Sequence, residues 1–585
     1  MKNNTTHRPN RRHVLAFGCA AVLAKPAIIK SGVANASTMT AEVSGYRRLF
    51  PALQGCAFNP ADLRRLADGD GQELTGMTAQ PEVIKDKKGE PKRDAAGHLI
   101  VSATAEDKQD DEENFGIPSG YTYLGQFVDH DLTLNPSDAL TTEPRDTHVN
   151  LRSARFDLDN LYGRGPADRP YLYEPNGRRL VEGRQLTLNG VPSRFRDHPR
   201  SNNTALIGDK RNDENIIVSQ LHGAFRAFHN FVADDDRSAD FERLQRTVAQ
   251  HYQWILLTDF LPRLCGQQTV SEILPGYGLA GRNGEVRPQL KITSELKAGE
   301  LPLEFSSAAY RMGHSMVRPA YRLNTRMQGT AEERRANPDL AGRRLIFAAS
   351  QYGGLNGFRS FPAEWGIDWK LYFEIDSKLD IARLGDGARR VQAAYKFDSS
   401  LVNPLAFLPE FSQAGRNGDM MKDANGQPKA KEGMISSLAL RNLMRGAQHG
   451  LPSGQAVARA MGLEPIPDHQ LLVGKATVEG LTENKPITAY GDSFRDQAPL
   501  WFYVLAEAQH LWAERARSSQ AGKEERDALP SRLGPVGGRI VAETFVALMM
   551  QDPSSVLNAG PDWRPRYTRK DRFTMAELIG SPGLA

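Results

Sequence analysis

Only three cysteines occur in 585 residues, Cys19, Cys56 and Cys265, which excludes a disulfide-stapled scaffold. Cys19 lies in an expected export signal, so at most one pair, Cys56–Cys265, remains, and both are expected to be free and buried thiols. The net charge of +4 is small for this length, and no repeat interleaves basic with aromatic residues. Nucleic acid is therefore not an expected partner. No stretch reaches the ~18 uninterrupted apolar residues that a membrane span requires. No repeat of fixed period is present, which excludes a solenoid. Alternating strand patterns are almost missing too. The remainder is ordinary globular material, 40% hydrophobic and 25% charged. Its length allows three or four average domains or one large one.

The first residues read as an export signal. Lys2, His7, Arg8, Arg11 and Arg12 precede an apolar run from Val14 to Ala24, and Ala34-Asn35-Ala36 offers a small-residue cleavage site. Arg11-Arg12 resembles a twin-arginine motif in imperfect form. The run is too short to span a bilayer, so a soluble protein, periplasmic or secreted, is expected. Residues 80–114 are charge-dense and poor in aromatics, which suits a surface insert, and His98 within it is read as solvated.

Helical patterns dominate the rest of the chain. One amphipathic helix is expected from Asn215, with Leu221, Ala224, Phe225, Phe228 and Val232 on one face. His222 and His229 within it are read as packed histidines rather than ligands. A second helix, 241–261, should stop at Pro262. Residues 305–317 look helical despite Gly313, as do 436–450 and 539–552. The fold class is mainly α, with long irregular loops and little β-structure.

The densest chemistry lies in YLGQFVDHDLTL, residues 123–134. His130 sits between Asp129 and Asp131, with Gln126 one turn earlier, among apolar neighbours spaced for a helix buried on most sides. Burying three ionisable groups costs several kcal/mol each unless something pairs with them. A metal, cofactor or ion nearby would do so; a solvated helix end fits the tripeptide equally well. Farther on, Ser153, Asp157 and Asp159 place oxygens at alternate positions in a short loop, which suits a hard cation such as calcium.

Five stretches occur in order: GQFVDHD (125–131), SARFDLDNLYG (153–163), GDKRNDEN (208–215), AYRMGHSMV (309–317) and RNLMRGAQHGLP (441–452). Together they resemble the animal-type haem peroxidases of the peroxidase–cyclooxygenase superfamily, in a form exported as bacterial members are. The resemblance implies one helical haem peroxidase domain over 121–560, after a signal (1–36) and an extension (37–120), with 561–585 as a tail. His130 then matches the distal histidine, Arg211 the catalytic arginine and Gln126 the distal glutamine. His314 matches the axial ligand of the haem iron and Asn442 its hydrogen-bonding partner. Asp129 and Glu214 match the carboxylates that can form ester links to haem b, and Arg311 an arginine near a propionate. Asp131, Ser153, Asp157, Asp159 and the carbonyl of Arg155 match the calcium site. Asn215 stands where one mammalian branch has a methionine linked to haem, so that link should be absent.

The chemistry suits these residue types. An imidazole with an ordinary pKa of ~6.5 can take a proton from one peroxide oxygen and return it to the other. A permanently charged arginine stabilises the charge that develops. The implied activity is a peroxidase using hydrogen peroxide to oxidise a small reductant, whether halide, pseudohalide or phenol. A fatty-acid dioxygenase is the nearer rival, but Arg311 holds the position three before His314 where its radical-forming tyrosine would stand, and Tyr310 lies ~100° away around a helix. A calcium-stabilised adhesion or matrix protein is the other alternative, and it would have no need of His130 or Arg211.

Overall fold

The computed structural model describes residues 44–80, 82–83, 85–86, 88–93, 101–102, 111–134, 149–278, 281–282, 287–325, 327, 342–349, 354–375, 391–415, 420–423, 428–568 and 572–580. The expected export signal and His98 lie outside them. The fold is helix-rich, 41% helical against 13% strand. Its sheets are small. Ser44–Arg47 pairs in parallel with Glu300–Pro302 and antiparallel with Val149–Asn150. Strand β1 (Glu113–Pro118) pairs antiparallel with β2 (Ala393–Tyr395) and leads straight into the helix that matters most.

That helix is α1, Gly120–Leu132. Its first backbone donors are used by the chain around it: Ser119 N–H donates to the Gln392 carbonyl and Gly120 N–H to that of Tyr372. Ten of its residues are buried, while Gly125, Gln126 and Asp129 are only half-buried. These three share one face by helical spacing, so α1 is enclosed everywhere except along that strip.

Helix α2 (Ile216–Asp235) starts where Asn215 Oδ1 accepts from the amides of Ile217 and Val218. It departs from the one-sided amphipathic helix expected, because neighbours cover nearly all of it. Its polar residues Gln220, His222, Arg226, His229 and Asn230 are buried as well, each with a hydrogen-bonding partner. Phe225 of α2 stacks on Phe127 of α1, ring centroids 4.7 Å apart and planes within 2°.

Helix α3 (Phe241–Ile255) does not stop at Pro262. It passes through a π-helical turn, Leu256–Phe260, and continues as Leu261–Cys265. The wider turn shifts the hydrogen-bond register, so the missing N–H of Pro262 falls at the start of a new helical segment. The same turn delivers buried Asp259 to the Tyr121 hydroxyl of α1, 2.5 Å away.

The segment 305–317 is not the regular helix its pattern suggests. A single α-turn, Leu303–Ser306, is followed by a tight 3-10 stretch, Ala309–His314. Helix α4 (Leu438–Gln448) matches its expected span closely, and α6 (Pro535–Gln551) begins four residues before its expected start. Helix α5 (Leu500–Ser518), which patterning did not single out, packs against the 3-10 stretch. The described residues cluster as one unit, and within it Glu304 accepts the amides of Leu49 and Phe50. Cys56 and Cys265 are both free thiols, as expected, but Cys56 is only half-buried.

A Cβ on Gly120 would lie 2.4 Å from the Phe373 ring, so Gly120→Ala should overpack the start of α1 and cost about 1–3 kcal/mol. A thermal melt of the variant checks this, and an unchanged midpoint would show that Phe373 moves aside freely.

Candidate functional site

The open strip of α1 faces the segment around Lys210–Asp213, a short 3-10 helix capped by Asp209, which accepts from the Arg211 amide at 2.8 Å. His130 is buried, and its Nδ1 lies 2.8 Å from Asn212 Oδ1. Among the described residues its Nε2 has no hydrogen-bonding partner. Burial and the nearby charge of Arg211 lower its pKa to about 4, so the ring is neutral at ordinary pH. Arg211 is held from two sides. Its guanidinium donates to Asp209 Oδ2 at 2.7 Å and to the carbonyls of His130 and Thr133 at the end of α1. It thus satisfies helix carbonyls that would otherwise be orphaned and places a cation where the helix dipole favours one. Asp209 stays ionised against the effect of burial because Arg211 and Arg152 flank it.

Gln126 and Glu214 meet directly: the Gln126 amide donates to Glu214 Oε2 at 2.8 Å and accepts from Asn215 Nδ2 at 3.1 Å. Burial, aided by repulsion from Glu410, pushes the Glu214 carboxyl up to about 7. Asp129, half-buried on the same strip, accepts from the Thr133 hydroxyl at 3.3 Å.

The second wall is the 3-10 stretch Ala309–His314, tied to α1 by the Tyr310 hydroxyl donating to the Gly125 carbonyl at 3.4 Å. His314 Nδ1 lies 2.8 Å from the side-chain nitrogen of Asn442 on α4, while Asn442 Oδ1 is buried without a partner among the described residues. Half a turn of that amide puts its oxygen against Nδ1, satisfies the orphaned acceptor and leaves Nε2 as a bare lone pair. A Cβ built on Gly313 would meet no atom within 4 Å, so the backbone beside His314 borders open space. Trp501 of α5 donates to the Arg311 carbonyl at 3.1 Å, with its ring centroid 6.5 Å from that of His314. Burial, with Arg311 and Arg445 nearby, holds His314 well below the ordinary histidine range.

Below α1, the loop 152–159 curls under Asp131. Asp131 and Asp157 are both driven toward protonation by burial; Asp157 further raises Asp131, and Asp157 itself reaches about 6. Ser153 Oγ donates to Asp157 at 2.9 Å, and Ala154 and Leu158 both take left-handed backbone, at φ 51° and 61°. Asp159, in contrast, is bonded to Arg152.

Residues 139–358 match the family model for the animal haem peroxidases. Over that stretch the chain is similar to the animal haem peroxidases. It is 30% identical over 184 residues to a peroxidase-like protein of Margaritifera margaritifera, covering 29% of this chain and 22% of that one. It is 22% identical over 320 residues to myeloperoxidase of Mus musculus, covering 47% and 41%. The chain thus spans less than half the length of these curated relatives. Peroxidase A from Dictyostelium discoideum has a solved structure that superposes with a TM-score of 0.50 at 15% identity, over 93% of this chain and 94% of that one. That similarity supports the same mainly α fold.

The structure gathers Gln126, His130, Arg211 and Glu214 around one strip, and His314, Arg311 and Asn442 on the wall tied to it. Asp131, Ser153 and Asp157 come together beneath. The resemblance implies haem, and the residues fit it: His130 and half-buried His314 each have Nδ1 engaged and, among the described residues, Nε2 unpartnered, and Asn442 Oδ1 lacks the donor that an iron-binding tautomer of His314 would supply. Sequence reading missed Asp209, Asn212 and Arg445. Arg445 was findable, standing three residues after Asn442 on one helix face; Asn212 carried no local signal. Because Glu214 holds its proton in the fold to about pH 7 while the unfolded carboxyl releases it near 4.5, its contribution favours folding at low pH and is lost as pH rises between those values. Glu214→Gln should therefore gain stability over the parent at pH 8 but not at pH 4, by up to about 3 kcal/mol, as paired thermal melts at the two pH values will read.

Proposed function

We propose that this chain is a haem-dependent peroxidase that uses hydrogen peroxide to oxidise a small reductant, whether halide, pseudohalide or phenol. The observation that carries the reading is the pair of histidines, His130 buried and His314 half-buried, on two elements tied by Tyr310, each anchored through Nδ1 by an asparagine and each presenting an Nε2 unpartnered among the described residues. When bound, haem supplies the redox chemistry, the two-electron reduction of peroxide and the return of those electrons from the second substrate. His314 Nε2 would hold the iron, with Asn442 fixing its tautomer. Arg311 would face a propionate, and Asp129 and Glu214 are the carboxylates available for ester links.

His130, neutral and with a free Nε2 lone pair, takes a proton from one oxygen of hydrogen peroxide and returns it to the other, which leaves as water. Arg211, braced by Asp209 and two helix carbonyls, keeps its charge beside that transfer and needs no rearrangement to do so. Gln126 is oriented by Glu214 and Asn215, so its amide is fixed along the open strip. The dioxygenase alternative gains no support here, since Tyr310 is stacked on Phe305 with centroids 4.7 Å apart, and the Arg311 backbone is pinned by Trp501.

We further propose calcium beneath α1, held by Asp131, Ser153, Asp157 and the Arg155 carbonyl, with Asp159 joining if it releases Arg152. Asp131, buried and raised further by the charge of Asp157, stands over a loop holding Asp157, itself raised to about 6, and two left-handed non-glycine residues, and these are the support for this site. Such a cation would cancel their repulsion and brace the helix that bears His130.

The haem-loaded protein should show a ferric Soret band, and His130→Ala should keep that band while slowing peroxide-driven oxidation by about 10²–10⁴-fold; a protein that takes up no haem, or a variant at the parent rate, would reject the reading. Chelation of calcium should lower the melting temperature and readdition should restore it. Melts that ignore both treatments would remove the calcium site.

A further inference from the structure

Behind His130 lies a buried polar chain that the proposed reaction does not yet use. Arg226 on α2 is buried; it donates to the Asp197 carbonyl at 3.1 Å and to His198 Nδ1 at 3.3 Å. A guanidinium has no acceptor, so His198 must offer Nδ1 as a lone pair and carry its proton on Nε2. That Nε2 points at the backbone carbonyl of Asn212, 3.4 Å away. The Asn212 amide N–H donates to the Asp209 carbonyl at 3.1 Å, so its backbone is held on two sides. The side chain then bridges two rings, Oδ1 to His130 Nδ1 at 2.8 Å and Nδ2 to His222 Nδ1 at 3.1 Å. Asn212 is fully buried and His222 nearly so.

We propose that Asn212 is a positioning residue that fixes His130 in the tautomer bearing its proton on Nδ1, and that His222, protonated on Nε2, locks the amide in the orientation that does so. An amide oxygen only accepts and an amide nitrogen only donates. With oxygen toward His130, Nδ1 carries the proton and Nε2 is a base. Turned over, the amide would donate to His130 Nδ1, Nε2 would carry the proton, and the lone pair that peroxide chemistry needs would be gone. The turned amide would also require His222 to present an N–H at Nδ1. A neutral His222 protonated on Nε2 offers only a lone pair there and so holds the amide as it stands, while burial and the Arg226 charge keep the ring from taking a second proton. One amide torsion thus decides whether His130 is a base.

This inference rests on the peroxidase reading, and the test separates the two. Hydrogen cyanide must lose its proton to bind ferric haem, so its association rate reports the base at Nε2 independently of turnover. In stopped-flow at neutral pH, Asn212→Leu in the haem-loaded protein should slow cyanide association and peroxide kcat/KM by about 10–100-fold, with the Soret maximum and the KM for reductant unchanged. Asn212→Asp, which keeps an acceptor against Nδ1, should return to within about fivefold of the parent, and His222→Phe should fall between them. A leucine variant within twofold of the parent, or an aspartate variant as slow as the leucine one, would overturn the assignment, the latter by showing that Asn212 only packs. His222→Phe at the parent rate would overturn the lock. A His130→Ala variant with unaltered cyanide association would instead strike the peroxidase reading itself.

Discussion

Everything at this site depends on one constraint: a helix carrying Gln126, Asp129, His130 and Asp131 is buried on nearly all sides, so its polar atoms must find partners within the protein. Each one left unpaired would cost about 1–3 kcal/mol. The segment 209–215 supplies most of the partners. Asn212 meets His130, Glu214 and Asn215 meet Gln126, and Arg211 takes the carbonyls at the end of α1. Asp209 in turn holds Arg211, and α2 begins on Asn215, so the same few residues cap a helix and build the site.

The two histidines are supported by different kinds of backbone. His130 rides a regular helix, whereas His314 ends a tight 3-10 stretch beside Gly313, where a side chain would intrude on open space. Irregular backbone recurs around the centre: the π-turn that delivers Asp259 to Tyr121, and the left-handed Ala154 and Leu158 in the loop under Asp131. Departures from ideal geometry cost on the order of 1–3 kcal/mol each and persist where surrounding contacts hold them. Here they bring Asp259 to Tyr121 and the loop 152–159 to Asp131.

Arginine organises this centre as much as histidine does. Arg211 faces His130, Arg226 orders the histidines behind it, and Arg152 ties Asp159 to Asp209. The guanidinium suits each place because it stays charged when buried and donates in several directions at once. The neutral state of His130, His198 and His222 follows from burial among these cations.

Local sequence was enough for the helix of His130, for α4 and α6, for the helical class and for the residues that resemble the family, because hydrophobic spacing and short motifs are properties of neighbours in the chain. It misjudged the stretch before His314, since a 3-10 turn and an α-helix share nearly the same pattern. It ended a helix at Pro262 because a register shift through a π-turn leaves no mark in composition. It could not find Asn212 as the partner of His130, for the two stand 82 residues apart and an asparagine is ordinary in a polar loop. The types of group at the centre were legible residue by residue; which atom each group faces, and hence which nitrogen of each histidine is free, was decided only when packing removed water and left every buried donor and acceptor to be matched within the fold.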